Sequence, residues 1–209
     1  MFLSKIEKLK IRLSQELPGK EAQSKMAFAE RKFLNELTVP KTARQSAVLI
    51  VLYPNGNDVF IPLIQRPIYK GVHSGQMAFP GGKRENSDTS LIHTAIRETK
   101  EEIGVQIPNA QILGTLTDLY IPPSNMLVLP VVAYATTIPK YLLDEKEVVK
   151  VVAPSLEMLR SSENQHSKKI AIREGVQFET PYFDVEGHTV WGATAMILSE
   201  FLEISKAIL

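Results

Sequence analysis

Three carboxylates crowd one short stretch of this chain: Glu98, Glu101 and Glu102, at spacing i, i+3 and i+4. On a helix that spacing puts all three side chains on one face. Like charges held so close destabilise a helix unless something neutralises them. A hard divalent cation bound through oxygen, Mg²⁺ or Mn²⁺, suits an all-carboxylate site. Arg97 stands four residues before Glu101 and can hold it in place. Gly81-Gly82 precedes the stretch; a segment without side chains lets backbone approach a ligand closely, and Gly82 is a candidate to offer a metal its carbonyl. Taken alone, Glu-x-x-Glu-Glu reads as a solvated acidic face, with Arg97 and Lys100 as ordinary pairing partners. That reading leaves the Gly-Gly segment, the Arg-Glu pair and the closing Gly104 unexplained.

The element that must present these carboxylates is a helix predicted over Thr89–Ile103. Ile92, Ile96, Thr99 and Ile103 recur at helical spacing and define a core face opposite the acids, with Asp88 or Thr89 as cap and Gly104 as stop. Around it the pattern predicts strands. Ser46–Tyr53 is an apolar, β-branched run, and the turn Pro54-Asn55-Gly56-Asn57 returns it as Asp58–Arg66. Further strands are expected at Met77–Phe79, Ile112–Leu119, Leu127–Thr136, Lys169–Arg173 and Val176–Phe183. Helices are expected at Phe2–Leu13 and Trp191–Leu209, a helical turn at Pro154–Leu159, and a short helix somewhere in Ser24–Leu34. Strands, one strong helix, then more strands imply a mixed α/β or α+β domain with helices on the sheet faces.

Composition narrows the chemistry. The 209 residues suit one well-filled core. Lys+Arg number 24 and Asp+Glu 23, a net charge of +1, which argues against a polyanion binder acting through bulk charge; no nucleic-acid partner is expected. With no Cys, thiolate metal sites, disulfides and Cys nucleophiles are excluded. The N-terminus is charged too early for a signal peptide, and the longest apolar stretches, 47–53 and 126–135, are far shorter than the ~18–20 residues of a membrane span. A soluble, cytoplasmic protein is expected. Other motifs fall short. Gly81-Gly82-Lys83 is followed by Arg84, where a phosphate-binding loop needs Ser or Thr; Ser124 lacks a nucleophile-elbow context; His73 and His93 form no metal-ligand spacing.

The run from Gly82 through Arg97-Glu98-Thr99-Lys100-Glu101-Glu102-Ile103-Gly104-Val105 resembles the Nudix box of Nudix pyrophosphohydrolases. It departs in three places. The intermediate acid is Asp88 rather than Glu, one extra residue separates it from Arg97, and Thr99 stands where an aliphatic residue is usual. Pro62-Leu63-Ile64-Gln65-Arg66, followed by His73-Ser74-Gly75-Gln76-Met77-Ala78-Phe79-Pro80-Gly81-Gly82, is similar to the additional motif of the coenzyme A pyrophosphohydrolase group. There, Gly71 stands where that group has an Arg, beside Lys70. Leu17-Pro18-Gly19 and Val190-Trp191-Gly192-Ala193-Thr194-Ala195 also resemble this group.

The resemblance implies a Nudix fold, a mixed β-sheet between helices in an α/β/α arrangement. It divides the chain into an N-terminal helical extension, 1–40, and a Nudix domain, 41–209. The implied activity is metal-dependent hydrolysis of the diphosphate of coenzyme A or acyl-CoA, giving 3′,5′-ADP and 4′-phosphopantetheine or its acyl form. Mg²⁺ or Mn²⁺ would sit on Glu98 and Glu102, with Glu101 as a ligand or the group that deprotonates water, and Glu147 as a further ligand or base. Arg66, Lys70, His73, Phe79 and Lys83 are the implied substrate contacts. Two alternatives stay open: the same chemistry on ADP-ribose, NADH or dinucleoside polyphosphates, or a non-catalytic nucleotide-sensing module. The terminal helices offer a homodimer contact in this reading.

Overall fold

A central strand buried on both faces organises the chain. The computed structural model describes residues 2–28, 38–71, 73–173 and 176–209. In order the elements are α1 (Phe2–Leu13), α2 (Gly19–Ser24), β1 (Arg44–Asn55), β2 (Asp58–Phe60), β3 (Leu63–Gln65), β4 (Met77–Ala78), β5 (Gly81–Lys83) and α3 (Leu91–Ile103). There follow β6 (Ile112–Thr115), β7 (Leu119–Ile121), β8 (Met126–Tyr134), β9 (Lys150–Val152), α4 (Leu156–Arg160), β10 (Gln165–Arg173), β11 (Val176–Val185), β12 (His188–Trp191) and α5 (Gly192–Ser205).

β1 runs parallel to β8 and antiparallel to β2 and β5, and β8 also takes β6 and β7 as antiparallel partners. Strand side chains alternate between faces, so β1 needs apolar residues on both. Ala47, Leu49 and Val51 pack with Ala95 and Ile103 of α3. Ile50 and Leu52 join the larger core with Phe201 and Met196 of α5 and with Ile6, Leu9 and Leu13 of α1. Two smaller sheets, β4-β3-β9 and β10-β11-β12, flank this centre. The result is the mixed sheet between helices that the sequence implies. Among the described residues no helix is long and apolar enough to cross a membrane.

The structure alters several expected boundaries. The strand expected over Asp58–Arg66 divides in two, because Pro62 has no N–H for a ladder; Ile61 donates instead to the Pro154 carbonyl at 3.1 Å, and β3 pairs with β4 and β9. Ser90, not Asp88 or Thr89, caps α3, its hydroxyl accepting the His93 N–H at 3.1 Å. The strand expected over Ile112–Leu119 divides because Glu200 takes the Thr117 N–H. The last helix begins at Gly192, since His188–Trp191 pairs with β11. Of the helix expected within Ser24–Leu34, residues 29–37 lie outside the described residues; α2 ends at Ser24.

The inward face of α3 also differs. Ala95, Thr99, Glu102 and Ile103 are buried, whereas Ile92 and Ile96 are only half-buried. Thr99 satisfies its hydroxyl on the Ala95 carbonyl at 2.7 Å. Glu102 therefore lies on the inward side rather than opposite it. A carboxylate can sit there only where polar groups meet it, and Gly81 at the sheet edge supplies one.

One buried carboxyl ties the N-terminal segment to the domain. Glu200 of α5, fully buried, accepts from Gln23 Nε2 at 2.8 Å and from the Thr117 N–H at 3.2 Å. Replacing Glu200 by Ala leaves the Thr117 N–H without its acceptor and the Gln23 amide with only its 3.0 Å bond to the Thr117 carbonyl. Denaturant titration is expected to show a loss of about 2–3 kcal/mol; an unchanged midpoint would mean the two donors find water.

Candidate active site

The turn between β5 and α3 is organised around the ion pair of Asp88 and Arg97. Asp88 is buried, and its carboxylate accepts from the Glu85 N–H and the Thr94 hydroxyl, both at 2.9 Å. Arg97 adds two charge-assisted bonds at 3.0 Å, Nε to Oδ1 and Nη2 to Oδ2. The guanidinium holds the Asp88 carboxyl well below the usual carboxylate range, more than offsetting its burial. Arg97 also donates to the Lys83 carbonyl at 3.1 Å, meets Glu98 Oε1 at 3.0 Å and binds Glu101 Oε2 at 2.8 Å. One guanidinium thus fixes the end of β5 to two carboxylates of α3.

β5 is built for close approach. A Cβ on Gly81 would stand 2.3 Å from the Ala47 carbonyl oxygen, and one on Gly82 2.4–2.5 Å from the Glu98 carboxylate. With no side chain there, the Gly81 N–H reaches Glu102 Oε2 at 2.8 Å. Arg66 Nη2 stands 3.9 Å from Glu102 Oε1 and donates to the Gly81 carbonyl at 3.3 Å.

Three carboxylates converge at this edge: Glu98, Glu102 and Glu147 each bring an oxygen within 4.8 Å of the others. Glu147 arrives on a turn docked against the end of α3. Leu142 donates to the Ile103 carbonyl at 2.9 Å and Asp144 to that of Glu102 at 3.0 Å; the Asp144 carbonyl then accepts from the Glu147 N–H at 3.0 Å. Burial pushes the Glu102 carboxyl up to about 7, against the pull of Arg66 and the Gly81 N–H, and Glu98 and Glu147 push it the same way. Burial raises Glu98 too, with Arg97 opposing. The cluster thus holds more negative charge than its neighbours neutralise. All-oxygen donors with such an excess fit a hard divalent cation.

An apolar cavity of about 210 Å³ adjoins the same edge, lined among others by Met126, Val128, Phe79 and Trp191, with Arg66, Gly81 and Gly82 on the carboxylate side. Of the expected substrate contacts, Arg66 and His73 line it, and Phe79 presents only an edge, being almost wholly buried in the core. His73 Nδ1 lies 3.2 Å from Gln76 Oε1. Lys70 is exposed and not among the lining residues. Lys83 borders a separate shallow depression. Glu101 stays outside the three-carboxylate cluster, exposed and bound to Arg97. Trp191, not among the expected substrate contacts, also lines the cavity; no spacing signal links it to β5.

A mixed sheet between helices, with a glycine edge strand set against a carboxylate-bearing helix, defines the Nudix class of domain. The NUDIX domain matches residues 43–173, and the chain belongs to that family. It is 34% identical over 136 residues to human mitochondrial coenzyme A diphosphatase NUDT8, covering 64% of this chain and 57% of that protein. It is 35% identical over 158 residues to the uncharacterised Nudix hydrolase NudL of Yersinia pestis, covering 75% and 77%. The match to the mammalian relatives therefore spans 57–64% of their length. A MutT/nudix family protein from Enterococcus faecalis shares the fold, with a TM-score of 0.54 at 18% identity over 92% of this chain and 76% of that one.

Burial of Glu102 has a consequence for stability. Its carboxyl keeps a proton in the folded chain up to about pH 7, whereas the unfolded chain releases it near 4.5. The folded state binds more protons in that window, so this contribution is complete below pH 4.5 and is lost as pH rises through 7. Without added metal, Glu102→Gln is expected to stabilise the protein by about 2 kcal/mol at pH 8 and to change little at pH 4.5. Thermal melts at both values check this; equal effects at the two would contradict it. Gly82→Ala is expected to displace Glu98 and weaken divalent-cation binding at least tenfold by calorimetry.

Proposed function

We propose that this protein is a Mg²⁺- or Mn²⁺-dependent Nudix pyrophosphohydrolase acting on coenzyme A or acyl-CoA. The observation that carries the chemistry is the convergence of Glu98, Glu102 and Glu147 at the Gly81–Gly82 edge. The substrate class rests on the similarity to the coenzyme A diphosphatase NUDT8.

Glu98 and Glu102, one helical turn apart, and Glu147 opposite them would hold the cation, with the Gly82 carbonyl as an added donor. When bound, the cation neutralises charge on the diphosphate oxygens and makes water more acidic. Glu147 sits on a turn and is solvent-exposed; where it does not itself bind the cation, it would take the proton of the attacking water. Arg97 is a positioning residue, held by Asp88, that keeps Glu98 aimed at the edge. Glu101, tied to Arg97, supports that orientation. Arg66 stands between Glu102 and the cavity and contacts a phosphate oxygen of the substrate; His73 contacts the part lying in the cavity.

Water attacks one phosphorus, the P–O–P bridge breaks, and the products are 3′,5′-ADP and 4′-phosphopantetheine. The retained carboxylates favour this over a purely nucleotide-sensing module. Purified protein with Mg²⁺ or Mn²⁺ is assayed against coenzyme A, acetyl-CoA, ADP-ribose, NADH and a dinucleoside polyphosphate, with products identified by mass. Coenzyme A or its thioester is expected to be cleaved fastest, chelation to abolish turnover, and Glu98→Gln or Glu102→Gln to lower kcat by at least about a hundredfold. Faster cleavage of another member of the panel would reassign the substrate. Tight nucleotide binding with no turnover would point to the sensing module.

A further inference from the structure

Beyond the glycine edge, β1, β5 and the residue that follows β5 carry three cations, Arg44, Lys83 and Arg84. The β1–β5 ladder pairs Val48 with Gly81, Ala47 with Gly82 and Ser46 with Lys83, and the Arg84 N–H continues it to the Gln45 carbonyl at 3.0 Å. Cross-strand partners share a face, and alternate residues of one strand do so too. Lys83 and Arg44 therefore lie on the face of Ser46 and Val48, which line the apolar cavity. Arg44 is in register with Met126, another cavity residue. Arg44, Lys83 and Arg84 border one depression of about 420 Å³, with Gln45, Glu85 and Asn86 completing it.

The two guanidiniums are anchored by neutral acceptors. Arg44 Nη2 donates to the Ser124 carbonyl at 2.8 Å; Arg84 Nη1 donates to Gln45 Oε1 at 2.9 Å and Nη2 to the Asp88 carbonyl at 3.4 Å. Among the described residues none of the three cations forms an ion pair. Against them stands one carboxylate, Glu85, so the depression keeps a net positive charge in a chain whose total is only +1. Lys83 directly follows Gly82, Arg84 stands two residues beyond it, and Arg44 stands three residues from Ala47, the partner of Gly82; the cations thus run roughly 3–10 Å along the strands from the glycine edge, and their far end is about one sugar away.

We infer that Arg44, Lys83 and Arg84 form a phosphomonoester subsite that takes the 3′-phosphate on the substrate's ribose, one sugar away from the diphosphate held at the glycine edge. This rests on the function proposed above and adds to it the group that separates coenzyme A from ADP-ribose and NADH. The planar forks of Arg44 and Arg84 suit the paired oxygens of a phosphate, and Lys83 adds a point charge.

The test compares kcat/KM for coenzyme A and for its 3′-dephospho form. Wild type is expected to favour coenzyme A by at least about tenfold, and the variant Arg44→Gln/Lys83→Gln/Arg84→Gln to lose most of that ratio through KM. Lys83→Gln alone, which keeps the main-chain carbonyl that binds Arg97, covers the case in which the triple variant fails to fold; it is expected to lower the ratio about threefold. A wild-type ratio near one, or a ratio unchanged by the variants, overturns the inference while leaving the hydrolase reading intact. If neither compound is cleaved, the coenzyme A reading fails, and binding decides the subsite. Trp191, the single tryptophan, lines the adjoining cavity and reports ligand by fluorescence. Tighter binding of 3′,5′-ADP than of 5′-AMP, by at least about tenfold and lost in Lys83→Gln, supports the subsite; equal binding overturns it.

Discussion

The Asp88–Arg97 pair is the constraint on which the rest of the site depends. Charged groups are costly to bury unless paired and hydrogen-bonded, and here every oxygen of the buried carboxylate is engaged. What the pair secures is geometry. With Asp88 fixing two of its nitrogens, Arg97 has a defined position from which to reach the Lys83 carbonyl, Glu98 and Glu101. The end of β5 and the acidic face of α3 are thereby referenced to one rigid planar group. Shifting the guanidinium would move a carboxylate of the cluster and the glycine strand together.

The acidic cluster is held in an unfavourable state by the same architecture. Glu102 is inward-facing, Glu98 is half-buried, and both carboxyls are raised above the ordinary range by burial. Arg66 and one backbone N–H compensate Glu102 only in part. A site of this kind stores electrostatic free energy that a cation can release. The buried apolar faces of β1 and the contacts of α3 with it supply the stability that makes such a cluster tolerable.

Much of this was legible in the residues. Helical spacing located α3, the apolar run located β1, and the box pattern from Gly82 to Val105 contains Glu98 and Glu102, two of the three carboxylates that converge. The departures from that pattern also find a physical account: Asp88, shorter than Glu and one residue further from Arg97, still meets the guanidinium with both oxygens, and Thr99 buries its hydroxyl on its own helix. What the sequence could not show was tertiary. Ile92 and Ile96 obey helical periodicity yet yield the inward side to Glu102, because the sheet edge that meets this helix is made of glycine backbone. Glu147 is a candidate in the sequence, but no spacing ties it to the helix; the turn docked on the end of α3 brings it to Glu98 and Glu102. Trp191 is likewise placed by the β11–β12 pairing, not by its own neighbours in sequence.

The edge position of β5 explains why one short segment serves two environments. Within the central sheet, among the described residues, it pairs only with β1. An interior strand would have to give both faces to packing. An edge strand of glycine leaves its backbone open from the side, so the carboxylates of α3 can approach from one face while the apolar cavity opens on the other. A substrate with a diphosphate at its middle and dissimilar groups at its ends needs that division: charge neutralisation at one line, with binding surface on both sides of it. Adding a side chain at Gly81 or Gly82 would close the line, since the first Cβ meets the Ala47 backbone and the second meets Glu98. The Gly-Gly pair is thus required by packing and by the geometry of the proposed reaction at once.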